Sequence, residues 1–243
     1  DFNDFSRPHD IIGRRIGDYL PKSDESRPMY RLMKESYDLL NNHPLNIERE
    51  KQGLKKANSL WLWSPGKKPQ LPSFSEKWGI RGAVISAVDL IKGIGVCAGL
   101  DVLDIEGATG TVHTNFDGKA KAAVDALRNG ADFVYVHVEA PDECGHRAEL
   151  ENKILSIELI DAKILAPVYE YLKSTGEDFK IMVLPDHPTP IRIRTHTAEP
   201  VPYIIYDSRH QERKTARYTE ADAANTGVLI ANGYTLMDQF LEK

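Results

Sequence analysis

The chain has 243 residues, 41% of them hydrophobic and 28% charged, with a formal net charge of −5 and two cysteines. That length suits one large α/β domain, or a main domain with a smaller lobe, and buries enough surface to fold without a disulfide or a structural metal. The acidic balance excludes a general nucleic-acid footprint. No apolar stretch of about 18 residues is present to span a bilayer, and nothing at the start reads as a signal peptide. A soluble cytoplasmic protein with no nucleic-acid or membrane partner is expected. Cys97 and Cys144 belong to no CxxC pair and suit a reducing compartment. A small anionic ligand is compatible with this charge, since it needs only a local basic pocket.

Asp1 is not a methionine, and Asp1 to Pro8 shows no periodicity, so the start reads as an entry from something upstream. Residues 1 to 22 are loop-like, punctuated by Pro8, Gly13, Gly17 and Pro21. A helix is predicted from Ser26, with Pro28 early and an apolar stripe of Met29, Leu32, Met33, Leu39 and Leu40, ending at His43-Pro44. Lys51 to Lys56 is a solvated charge run. Ser59 to Trp63 is a short aromatic-rich strand candidate, and Ser64 to Pro72, with three prolines and a glycine, marks the lobe boundary.

Beyond it, Gly82 to Leu90 is an apolar run leading into a helix, and Val102 to Ile105 is a strand ending in the glycines of Gly107 to Gly110. Lys119 to Asn129 is an amphipathic helix stopped by Gly130. DFVYVHV (Asp132 to Val138) reads as a buried parallel strand. Asn152 to Leu172 is helical with a bend at Pro167. KIMVL (Lys180 to Leu184) and Val201 to Tyr206 are further strands. Alternating strands and helices predict a mostly parallel sheet covered on both faces, with ligands at the carboxyl ends of the strands.

Two of these strands end in acids and histidines. DFVYVHV runs into Asp142 and His146, four apart on what reads as a tight turn containing Gly145. KIMVL runs into Asp186 and His187, whose adjacent side chains should diverge on an extended backbone, so that two cations could share them. His196, just ahead of the next strand, supplies another nitrogen. Two aspartates and three histidines suit Mn²⁺ or Zn²⁺ better than Ca²⁺. Two such ions about 3.5 to 4 Å apart would clamp the oxygens of a transferring phosphoryl group. His137, alternating with apolar residues, reads as a core histidine or one that orients a ligand, and His113 follows a Gly-rich turn.

PDECGH, then LPDHPTP, then HTAEPVPYIIY resemble the alkaline phosphatase superfamily. More narrowly they resemble cofactor-independent phosphoglycerate mutase of the archaeal type, some bacterial members of which are labelled homoserine kinases. PHDIIG, the GATG stretch through TN and GKA from Gly107 to Ala120, and VHVEAPDE carry the same resemblance, which covers essentially the whole chain.

The resemblance implies a three-layer α/β core with helices on both faces of a mostly parallel sheet. Residues 1–65 would be the remainder of an inserted cap lobe and 66–243 the carboxy-terminal part of the metal-binding core. It implies one metal held by Asp142, His146 and His196 and a second by Asp186 and His187, Mn²⁺ first with Zn²⁺, Co²⁺ or Mg²⁺ as alternatives. The family completes the second metal with an aspartate and a serine nucleophile from its amino-terminal part, which this sequence does not show, so the chain alone is expected to be inactive. The implied reaction is interconversion of 2- and 3-phosphoglycerate through a phosphoserine, in glycolysis. A metal-dependent phosphatase or phosphonate hydrolase, or a non-catalytic metal-binding remnant, are the alternatives. A kinase finds no GxxxxGK[ST] loop here. His9, Asp10, Arg14, Arg15, Arg81 and Lys92 are candidates to contact the substrate phosphate or carboxylate. A sheet lacking its first strand should expose an edge or a gap, where association into a homo-oligomer or local disorder is expected.

Overall fold

The structure, a computed structural model, describes residues 4–210 and 217–242. It divides into two compact units, 1–68 and 69–243.

The first unit is helical. Two short 3₁₀ turns, Pro8–Ile11 and Ile16–Tyr19, precede α1 (Arg27–Asn41) and α2 (Pro44–Lys51). Pro28 sits at the start of α1, where its missing N–H costs no helix bond. Asp4 gathers the amino end of α1: one carboxylate oxygen accepts from Lys22 N (2.6 Å), Ser23 N (2.8 Å) and Ser26 Oγ (2.9 Å). The bond from the Ser23 amide is the largest cause of its carboxyl being held down to about 2.

Ser59–Trp63 is not the strand its composition suggested. Its neighbourhood is tied down by side chains and not by a ladder. Ala57 N donates to Asn46 Oδ1 (2.8 Å), Leu60 N to Ser36 Oγ (2.8 Å), and Trp61 Nε1 to the Ser6 carbonyl (2.9 Å). β-propensity describes fit to a neighbouring strand, and among the described residues this segment has none.

The second unit is α/β. After the short helix α3 (Phe74–Trp78), three parallel strands β1 (Gly82–Ile85), β2 (Asp101–Leu103) and β3 (Phe133–Val136) form a sheet in the order β2-β1-β3. The helices α4 (Asp89–Cys97) and α5 (Phe116–Arg128) make the crossovers. The central strand is buried at every position, as the middle of a covered parallel sheet requires. Helix α4 lies so close to it that a Cβ on Gly95 would stand 2.4 Å from Val84 Cγ1, which only glycine avoids.

Three helical segments follow: α6 (Ala140–Arg147), α7 (Leu150–Ile160) and α8 (Ala166–Thr175), with a π-helical turn over Asp161–Leu165 between the last two. Pro167 has no N–H for the carbonyl four residues back, and the wider turn just before it accommodates that loss. The turn is also structural: Ile164 joins Phe116 and Ala120 in the main apolar cluster, against which Val136, Val138, Leu159 and Ile160 pack. Fully burying a side chain the size of Phe116 or Ile164 contributes about 1.5 to 3 kcal/mol.

Strands β4 (Lys180–Val183) and β5 (Ile204–Asp207) pair antiparallel with each other, Lys180 opposite Asp207. The sequence suggested buried parallel strands here. Instead Ile204 and Ile205 are exposed, and strand direction was decided by long-range pairing that composition does not encode. The short helices α9 (Glu220–Asn225) and α10 (Leu236–Leu241) complete the described chain.

Lys119, in the second turn of α5, is fully buried. Its ammonium donates to the His137 carbonyl at 2.8 Å, just beyond the end of β3. Burial pulls its pKa from 10.5 down to about 8, opposed by the Glu139 carboxylate. The folded state therefore releases this proton before the unfolded chain does. Between pH about 8 and about 10.5 the unfolded chain binds more protons, so stability should rise with pH there; below pH 8 both states are protonated and the burial cost is present in full. Urea unfolding of the parent and of Lys119→Met across pH 7 to 10.5 checks this: the rise should vanish in the variant, and a parallel rise in both would refute the assignment.

Candidate metal centre

Strand β3 ends at Val136, and the chain turns through Glu139 directly into α6, so Asp142 and His146 ride on a helix one turn apart on one face. This corrects the tight turn containing Gly145 that the sequence suggested. Pro141 occupies a helix-starting position, and Gly145 answers a contact from elsewhere: its missing Cβ would lie 2.4 Å from the Thr189 carbonyl oxygen. Strand β4 ends at Val183, and the following loop carries Asp186, His187, Thr189 and, further on, His196.

The two ligand-bearing segments meet. His146 Nε2 lies 3.3 Å from Asp142 Oδ2 and 3.1 Å from His196 Nε2, and His196 Nε2 lies 3.2 Å from Asp142 Oδ1. The His187 ring lies against that of His196, tilted by 32° with centroids 3.7 Å apart, and His187 Nε2 is 3.4 Å from Asp186 Oδ2. Asp186 and His187 therefore do not diverge as an extended backbone would suggest. The Asp186 carboxylate accepts from the His187 amide (3.1 Å), folding the pair back on itself.

Hydrogen-bond arithmetic tests whether cations fit. His146 Nδ1 faces the Arg194 carbonyl at 2.9 Å. A carbonyl only accepts, so Nδ1 carries the proton and a neutral ring turns its Nε2 lone pair toward the Asp142 carboxylate. Arg194 holds that carbonyl in place with a left-handed backbone (φ 57°), a conformation a non-glycine residue keeps only where its surroundings enforce it. Lone pairs and carboxylate oxygens facing one another at 3.1 to 3.3 Å match atoms that each sit about 2.0 to 2.2 Å from a shared ion. Asp142, His146 and His196 thus fit a divalent cation, with their donor atoms all within 4.8 Å of one another.

Supporting residues that the sequence reading missed surround this cluster. Lys153, on α7, donates to the Pro141 carbonyl (2.8 Å) and to the Thr189 carbonyl (3.2 Å), joining α6 to the loop after β4. Burial lowers its pKa and the Asp142 carboxylate opposes that shift. The spacing of Thr189 two residues after His187 was the available signal for it. Burial raises the Glu139 carboxyl, and Glu143 and Asp142 add to the effect. His137 sits at the end of β3 with Nδ1 3.1 Å from Ser86 Oγ, the partnered histidine its position implied, and burial lowers its pKa.

Arg81 precedes β1, at the amino end of the sheet, and pairs with Asp101 at 2.9 Å. Lys92 pairs with Asp104 at 2.6 Å. His113 is exposed. Arg14 and Arg15 are exposed in the first unit, Arg14 bonded to the Tyr19 hydroxyl at 2.8 Å. The side chains of His9 and Asp10 lie outside the described residues.

An α/β core with acids and histidines following β3 and β4 defines a candidate metal-binding core. The model of the Metalloenzyme superfamily matches residues 22–241, and the chain belongs to that family. It is 46% identical over 237 residues to a probable 2,3-bisphosphoglycerate-independent phosphoglycerate mutase of Geobacter sulfurreducens, covering 97% of this chain and 59% of the relative. The 2,3-bisphosphoglycerate-independent phosphoglycerate mutase of Methanothrix thermoacetophila is also 46% identical, with 95% and 58% covered. Among solved structures, the PH0037 protein from Pyrococcus horikoshii is similar with a TM-score of 0.66 and 31% identity over 85% of this chain and 54% of that one. A cofactor-independent phosphoglycerate mutase from Thermoplasma acidophilum aligns with a TM-score of 0.51 and 28% identity, covering 91% and 53%. The chain thus spans somewhat more than half the length of these relatives. No helix among the described residues is long and apolar enough to cross a membrane.

Proposed function

We propose that this chain is the metal-binding portion of a 2,3-bisphosphoglycerate-independent phosphoglycerate mutase acting in cytoplasmic glycolysis, with phosphoglycerate as its small phosphorylated substrate. The observation that carries the reading is the meeting of α6 and the loop after β4, which sets Asp142, His146 and His196 around one point. Asp142, His146 and His196 hold the first cation, and Asp186 and His187 contribute to the second. Mn²⁺ suits this donor set best, with Zn²⁺, Co²⁺ or Mg²⁺ as substitutes. When bound, such ions supply charge stabilisation for a transferring phosphoryl group.

The chain's own residues fix the geometry. The Arg194 carbonyl orients His146, Lys153 clamps the two ligand-bearing segments, and Lys119 anchors the corner where β3 becomes α6. In the family this chain resembles, a serine from the amino-terminal part is the nucleophile that takes up the phosphoryl group.

Joining the chain to the uncovered remainder of the Geobacter relative tests the reading. The chimera should interconvert 2- and 3-phosphoglycerate, while the chain alone and the chimera carrying His146→Ala should not. Release of inorganic phosphate in place of interconversion would favour a phosphatase of the same superfamily. An active chimera with His146→Ala would refute the site.

A further inference from the structure

We propose that Thr189 is a positioning residue whose single hydroxyl joins a ligand of the first cation, Asp142, to a ligand of the second, His187, so that the two are oriented together. This rests on the two-cation reading above. Thr189 is buried, and its Oγ1 touches both partners: the Asp142 carboxylate at Oδ1 and His187 Nδ1 at 3.3 Å.

A threonine hydroxyl has one proton to give. The carboxylate only accepts, so that proton goes to Asp142. The hydroxyl must then accept from His187, which places the His187 proton on Nδ1 and leaves the Nε2 lone pair facing Asp186 Oδ2 at 3.4 Å. The chain His187 Nδ1–H to Thr189 Oγ1–H to Asp142 Oδ1 therefore runs in one direction. It selects the His187 tautomer able to bind an ion through Nε2 and sets the carboxylate plane of Asp142.

The residue is itself held from two sides. The Thr189 carbonyl accepts from Lys153 at 3.2 Å, and the residue packs against the bare backbone of Gly145, where a Cβ would stand 2.8 Å from Thr189 Cγ2. A residue that orients a ligand typically matters 10- to 100-fold in metal affinity.

The test is Mn²⁺ calorimetry on the chain as it stands, comparing the parent with Thr189→Val, which keeps the shape and removes the hydroxyl, and Thr189→Ser, which keeps the hydroxyl. Affinity should fall about 10- to 100-fold in the valine variant and return toward the parent in the serine variant. The visible absorption of bound Co²⁺ should change only in the valine variant. Parental affinity and spectrum in Thr189→Val would overturn the proposal. Should that variant not fold, ring ¹⁵N shifts of His187 in the Zn²⁺-loaded parent decide the matter: a protonated Nδ1 supports the chain of bonds, and a protonated Nε2 overturns it. A parent that binds neither Mn²⁺ nor Zn²⁺ refutes the metal reading itself and this proposal with it.

Discussion

Replacing His146 by alanine is expected to lower the Mn²⁺ affinity of the chain by more than about 100-fold, beyond the range produced by losing a residue that only orients a ligand. The expectation follows from position. His146 Nε2 stands within 3.3 Å of Asp142 Oδ2 and 3.1 Å of His196 Nε2, and its Nδ1 is committed to the Arg194 carbonyl. The other side-chain nitrogens of α6 belong to Arg147, which donates to Glu143 at 2.7 Å. Isothermal calorimetry with Mn²⁺ reads the effect directly. Binding in His146→Ala indistinguishable from the parent would remove the first cation site from consideration.

The second large effect is expected at Gly145. A methyl group there would meet the Thr189 carbonyl oxygen at 2.4 Å and its Cγ2 at 2.8 Å, and the oxygen is backbone that also accepts from Lys153. Gly145→Ala gains about 1 kcal/mol of helix propensity. Overpacking of a tight contact costs about 1 to 3 kcal/mol, and here it must push apart the two segments that carry the ligands. The variant should therefore lose stability in urea unfolding and bind Mn²⁺ more weakly than the parent. A midpoint at or above the parental one, with affinity unchanged, would mean that the approach of α6 to the loop is not tight in solution.

Much of the candidate site could be read from the sequence because the relevant signals were local. Acids and histidines following β-branched runs mark strand ends, and the order of DxxxH, DH and HT carried the resemblance. The α1 helix was legible for the same reason, its apolar stripe and Pro28 lying within one segment. What escaped depended on distant partners. Gly145 looked like a turn residue because the carbonyl it makes room for lies 44 positions further along, at Thr189, in a different element. Ser59–Trp63 had the composition of a strand but, among the described residues, no strand beside it, and the antiparallel pairing of β4 with β5 is set by contacts that no window of sequence contains. Lys153 is a helical lysine on the page and becomes informative only when its ammonium is seen between the Pro141 and Thr189 carbonyls.

The meeting of α6 with the loop after β4 also bears on how the chain is held together. His146 and His196 are 50 positions apart, and the polar ties joining those stretches near the site include His146 to the Arg194 carbonyl, Thr189 to Asp142, and Lys153 to the Pro141 and Thr189 carbonyls. An ion coordinated by both histidines would act as a cross-link, closing a long loop that the unfolded chain leaves open, much as a disulfide does in a secreted protein. Because the unfolded chain offers no preformed cage, the free energy of coordination becomes folding free energy. At an ion concentration a hundredfold above Kd that contribution is about 2.7 kcal/mol, a sizeable share of the net stability of a domain. The cation in such a centre is thus a tether for the polypeptide as much as a reagent.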